Sequence, residues 1–166
     1  RVLWAFVDLT DQTLAGIDWS EAPPAGSFEP FVPTGGCPSP GSVTRDGWTM
    51  DYAVTGTDSM NITNVAYDGV TVATSIKLVE WHADYGSSGY QDSTGCGGGG
   101  GGFPIYPYGP TYVLDVLDEQ NNVIGFEVVQ DFRMGNWGNS CNYRYEQRIR
   151  FYPDGSFQPL SAAYGK

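Results

Sequence analysis

His82 and Asp84, two residues apart at the end of an apolar stretch, are the chain's one imidazole–carboxylate pair, because His82 is its only histidine. Such a pair can serve as a general base or a pH-sensitive contact. No nucleophile motif of the G-x-S-x-G kind accompanies it, so the expectation is a hydrogen-bonded structural histidine. Asp115, Asp118, Glu119 and Asp131 spread along one hairpin pattern, and Asp84 and Asp92 flank a loop. Glycoside hydrolysis needs two acids facing one cleft, and calcium loops carry a D-x-[DN]-x-[DN]-G run that is missing here. These acids are therefore read as solvated surface groups. Cys37, Cys96 and Cys141 lie far apart with no CxxC or Cys/His cluster. They predict no metal site but one disulfide and one spare thiol, with the pairing left open. Asn61-Ile62-Thr63 is a formal glycosylation sequon.

Aromatic residues offer a binding chemistry instead. Phe103, Tyr106 and Tyr108 stand among Pro and Gly, and Trp137 sits in Met134-Gly135-Asn136-Trp137-Gly138. In loops they could present flat faces to a sugar or to another protein, or fold over the ends of the structure as lids. The six glycines Gly97 to Gly102 lack the Lys-Ser/Thr and following helix of a phosphate loop, and read as a surface loop.

The composition restricts the partners. With 8 Lys+Arg against 19 Asp+Glu the net charge is -11, which repels nucleic acid and anionic membranes. Only 16% of residues are charged, a profile common outside cells. No run reaches the roughly 18 apolar residues of a membrane helix, and no signal peptide opens the chain. It starts at Arg1 rather than Met, so a processed chain or a piece of a longer one is expected.

The elements that position these residues read as strands. The 23 Gly and 11 Pro among many β-branched and aromatic residues leave little room for helices. Arg1 to Asp18 is one strand or two, apolar on both faces, with Val2, Trp4 and Phe6 alternating with Leu3, Ala5 and Val7. Ser20 to Ser42, with six prolines, reads as an extended ordered loop. Strands follow at Gly47 to Val54, Met60 to Tyr67 and Val70 to Tyr85, with Asp68-Gly69 as a hairpin turn. Two more hairpins join Tyr112 to Asp118 with Val123 to Phe132, and Tyr143 to Tyr152 with Phe157 to Tyr164. The expectation is all-β: a single antiparallel β-sandwich domain over residues 1–166, with long Gly/Pro-rich loops and residues 1–18 as an edge or exchanged strand.

Two segments resemble the catalytic domain of copper amine oxidases. Met60-Asn61-Ile62-Thr63-Asn64-Val65-Ala66-Tyr67-Asp68-Gly69, followed by Glu80-Trp81-His82-Ala83-Asp84-Tyr85-Gly86, is similar to that domain's opening hairpin. Cys141-Asn142-Tyr143-Arg144-Tyr145, followed by Phe151-Tyr152-Pro153-Asp154-Gly155-Ser156-Phe157, is similar to its "N-Y-[DE]-Y" strand and "D-G-x-I" turn. The resemblance spans roughly residues 48 to 164. It implies a trimmed form of that family's supersandwich, with Tyr143 at the position oxidised to topaquinone. It also implies copper on three imidazoles and a carboxylate base. The chain departs from the pattern in three respects. It has one histidine, no base motif between Gly86 and Cys96, and Arg144 where the family has an acid.

The expected function is therefore a non-catalytic structural or self-association subunit, extracellular or at a cell surface, without metal or cofactor. Its partner is itself or another extracellular protein, with Val2, Trp4 and Phe6 as assembly residues. An amine oxidase with copper and topaquinone at Tyr143 is the enzyme alternative. A sugar-binding module using Phe103, Tyr106, Tyr108 and Trp137 is the third reading.

Overall fold

Two Asp-Gly dipeptides organise one sheet. Asp46-Gly47 and Asp68-Gly69 all have positive φ, at 51°, 82°, 46° and 78°, the conformation that two-residue type I′ hairpin turns require. They close the hairpins β3 (Gly41–Arg45) to β4 (Trp48–Val54) and β5 (Met60–Tyr67) to β6 (Val70–Ile76). The four strands form an antiparallel sheet in the order β3-β4-β5-β6. The computed structural model describes residues 2–8, 12–20, 37–78, 81–84, 86–97, 103–135, 137 and 139–165, which contain strands and no helix.

The second sheet has nine strands. β1 (Val2–Asp8) pairs with β2 (Thr13–Ser20), so the apolar opening segment is two strands of one hairpin. β2 meets β10 (Tyr112–Leu117) at two register pairs, Val116↔Ser20 and Leu117↔Trp19. β10 pairs with β11 (Val123–Arg133), β11 with β12 (Tyr143–Phe151), and β12 with β13 (Phe157–Gly165). Since β12 lines one edge of β11, the other edge is shared. β10 takes its first part, and β9 (Phe103–Pro107) takes Phe132 and Arg133. β8 (Gly89–Thr94) and β7 (Trp81–Asp84) continue beyond β9.

Several expectations need correction. Gly41 and Ser42 belong to a strand rather than to the loop read over residues 20–42, of which 21–36 lie outside the described residues. The stretch read as Val70 to Tyr85 is two strands in different sheets. Phe103 and Tyr106 lie on β9, not in a loop. β9 runs parallel to β8, a pairing the antiparallel expectation did not include. Prolines 104 and 107 obscure this strand in the sequence. Both lie at paired positions, Pro104 opposite Ser93 of β8 and Pro107 opposite Phe132 of β11.

The sheets pack face to face as a sandwich-like pair of layers. Val43, Trp48, Met50, Met60, Ile62 and Val65 of the four-stranded sheet meet Phe126, Val128, Ile149 and Phe151 of the larger one. Trp48 is fully buried, with its Nε1–H donating to the Tyr152 carbonyl at 2.9 Å and its ring 5.0 Å from that of Phe151. A second core of Val54, Cys96, Ile105, Phe132 and Tyr145 fills the end where β7, β8 and β9 lie. Cys37 and Cys96 form a disulfide, and Cys141 is a free, exposed thiol.

Candidate functional site on the two faces of β12

Strand alternation sends successive β12 side chains to opposite faces. Tyr143, Tyr145, Gln147, Ile149 and Phe151 take one face, and Arg144, Glu146, Arg148 and Arg150 the other.

On the inner face Tyr145 is fully buried and donates its hydroxyl hydrogen to Asp92 on β8, whose carboxylate is 3% exposed. Burial pushes the Asp92 carboxyl above its ordinary value of 3.8, against the opposing effect of the Tyr145 hydrogen bond. Burial also raises the Tyr145 phenol, and the neighbouring Asp92 charge raises it further. The Tyr145 ring stacks on Trp81, whose buried Nε1–H has no hydrogen-bond partner among the described residues. Tyr143 is half-buried between the rings of Tyr90 and Tyr145, and its amide donates to the Met134 sulfur at 3.1 Å. Tyr143 is thus set among aromatic faces and a thioether. Three imidazoles are not available in this chain, and its one, His82, is exposed on β7. The residues present do not fit the copper centre that the resemblance implies.

On the outer face the charges form a continuous ladder across β11 and β12. Asp131 accepts from Arg133 at 2.7 Å and from Arg144 at 2.9 Å. Glu146 accepts from Arg144 at 3.0 Å and also from Arg148. Glu127 joins Arg148 to Arg150, the latter at 3.0 Å. Glu127 is only 1% exposed, whereas the Arg144 side chain is 25% exposed, so the ladder opens toward the Arg144 end. The Arg133 guanidinium lies 3.6 Å from the Tyr108 ring centroid, and that of Arg144 lies 4.9 Å from Tyr164. Burial alone would lower the Arg148 pKa, but Glu146 and Glu127 hold it above its ordinary value.

Tyr106 and Tyr108 come together with this ladder, because Tyr106 pairs with Arg133 and the Tyr108 amide donates to the Asp131 carbonyl at 2.8 Å. Trp137 is half-buried in a turn, its amide donating to the Met134 carbonyl at 3.0 Å. The side chain of Phe103 lies outside the described residues, as do those of Val2, Trp4 and Phe6 on β1. Asn61 sits on β5 and accepts from Ser75 Oγ at 2.6 Å. The acids have local partners: Asp84 accepts from the Gly86 amide, Asp115 pairs with Arg45, and Asp118 accepts from the Gln120 and Asn122 amides. Among the described residues no three His, Cys, Asp or Glu side chains gather as a metal site. A half-open, mostly apolar groove of about 110 Å³ between Ile76–Leu78 and Pro159–Ser161 has room for a few water molecules.

The sequence reading missed Glu127, Glu146, Arg148 and Arg150 altogether. A signal was available in the alternation of charged and apolar residues from Tyr143 to Phe151, whose period of two marks the charged face. Asp92 and Asp131 were expected among the solvated surface acids, but Asp92 is buried on β8 and Asp131 is held between Arg133 and Arg144 in the ladder. No sequence rule links Asp92 to Tyr145, 53 positions away. Compared with models of protein families, with curated proteins and with solved structures, the chain matches none.

Proposed function

We propose that the chain is a non-catalytic structural subunit that associates with copies of itself outside the cell, on a sandwich resembling a trimmed amine oxidase domain. The observation that carries this reading is the place of β1. It is the terminal strand of the nine-stranded sheet, and its hairpin is joined to the body at Val116↔Ser20 and Leu117↔Trp19. A terminal strand offers backbone donors and acceptors to a further strand, and an apolar one gains buried surface when it is covered. The Cys37–Cys96 disulfide supports an oxidising, extracellular setting.

The test is deletion of residues 1–9 alongside Phe6→Pro, which removes one backbone donor from the terminal strand, with mass measured by light scattering and folding by near-ultraviolet circular dichroism. The wild type is expected to assemble and both folded variants to remain monomeric. Assembly unchanged in both variants would remove this reading.

The packing of Tyr108 against Arg133, with Tyr106 beside it, favours a second reading, a sugar-binding face in which aromatic rings and a hydrogen-bonding ladder adjoin. It predicts loss of glycan binding in Tyr108→Ala and Trp137→Ala, and an unchanged titration counts against it. The enzyme alternative, an amine oxidase with topaquinone at Tyr143, predicts copper and a quinone stain in native material.

A further inference from the structure

Four rings lie in succession at the end of β12. Tyr90 stacks on Tyr143 with centroids 5.4 Å apart and planes 25° apart. Tyr143 stacks on Tyr145 at 6.3 Å and 14°. Tyr145 packs on Trp81 at 4.6 Å and 30°. From Tyr90 to Tyr145 the row leads inward, because Tyr90 and Tyr143 are half-buried whereas Tyr145 has no exposed surface, and Trp81 beyond it is half-buried again. Rings in such contact exchange electrons quickly, since their π systems approach without intervening bonds.

At the inner end the chemistry changes from packing to proton transfer. A buried phenol loses an electron readily only if its proton leaves at the same time, because a cationic phenol in a poorly polar interior is strongly disfavoured. Tyr145 has an acceptor in place, the Asp92 carboxylate, itself 3% exposed. For stability alone this pair is a poor choice. A phenylalanine opposite an apolar residue would fill the same space without burying a charge.

We propose that Tyr145 and Asp92 form a proton-coupled one-electron redox site, connected to solvent through Tyr143 and Tyr90. Its reaction partner is a one-electron oxidant acting at the surface, such as a peroxide-derived high-valent species. The oxidant takes one electron from Tyr145 across the bridging rings of Tyr143 and Tyr90, which keep their protons and are not themselves oxidised, and is reduced by one. In the same event the Tyr145 O–H bond breaks and its proton passes to the Asp92 carboxylate. The site ends as a neutral phenoxyl radical beside a neutral carboxylic acid. The single negative charge formerly on Asp92 is balanced by the electron that left. This chemistry goes beyond the structural role proposed above and does not depend on it.

Photogenerated tris(bipyridine)ruthenium(III) is the probe, applied to the whole chain and followed by electron paramagnetic resonance. The wild type is expected to show a long-lived tyrosyl signal whose high-field g tensor reports a hydrogen bond. In D₂O the signal should carry an exchangeable deuteron coupling. Tyr145→Phe keeps the ring packed on Trp81 and is expected to lose this signal. Asp92→Asn retains an acceptor for the Tyr145 hydroxyl but is a far weaker base, and the same loss is expected. Tyr143→Phe should slow the radical's appearance. If Tyr145→Phe fails to fold, the Asp92→Asn result and the wild-type deuteron coupling decide the matter. A signal of unchanged lifetime in both variants overturns the proposal. So does a wild type that shows only short-lived, solvent-exposed tyrosyl radicals under flashes that oxidise free tyrosine.

Discussion

The carboxamide of Gln147 grips the backbone of Met60 as a neighbouring strand would. Gln147 Oε1 accepts from the Met60 amide and Nε2 donates to the Met60 carbonyl, both at 2.9 Å. Met60 begins β5 in one sheet, and Gln147 lies mid-strand on β12 in the other, so one side chain bonds the two layers. Both residues are buried, which makes each of the two hydrogen bonds costly to lose.

Gln147→Leu should therefore leave a buried donor and acceptor without partners and destabilise the fold by about 3 kcal/mol. Urea unfolding would show a lower midpoint with an unchanged slope. A loss below about 1 kcal/mol would mean that water or a local shift satisfies Met60 instead.

Asp92 gives a pH dependence of definite sign. Its folded-state pKa lies above 3.8, so the native state holds this proton more tightly than the unfolded chain does. Its contribution is fully present below 3.8, falls as pH rises through the raised folded value, and is level above it. The stability difference between wild type and Asp92→Asn, measured by urea unfolding across this range, should move against the wild type with rising pH. A difference that grows in the wild type's favour would contradict the assignment.

The Cys37–Cys96 bridge spans a sequence separation of 59 residues. Loop-closure entropy for that length assigns it about 4 kcal/mol. Paired Cys37→Ser and Cys96→Ser substitutions should lower the unfolding free energy by about that amount. Cys141 should react with a thiol reagent in the native state without reductant, and a second reactive thiol would argue against the pairing.

Arg148 sits between Glu127 and Glu146, both nearly fully buried. Arg148→Met removes a shared partner from two buried carboxylates and should destabilise the protein by about 3 to 5 kcal/mol. Adding Glu146→Gln is expected to restore part of that loss, a non-additivity readable in a double-mutant cycle. Strict additivity would show that the ladder's members act independently.

Local chemistry made some of the fold readable in advance. Asp68-Gly69, Asp118 to Asn122 and Pro153 to Ser156 marked three turns, and the strands around the last two end within a residue of expectation. Asp46-Gly47 is the same dipeptide as Asp68-Gly69, yet the proline-rich run before it hid β3. β8 and β9 escaped notice because Gly89 to Thr94 lacks apolar alternation and β9 contains two prolines. Their strand conformation is imposed by parallel pairing with each other, by β7 on the far side of β8 and by the end of β11 beside β9.

Turn residues, alternating side chains and the cysteine count are properties of neighbouring positions, so the all-β class and a single disulfide with one thiol left over could be inferred from the chain alone. Which cysteines pair, where Tyr143 points and which acid meets Tyr145 depend on contacts between residues tens of positions apart. Those contacts form only when the sheets close over a shared core, where the energy of burial and hydrogen bonding is set by three-dimensional neighbours rather than by residue type.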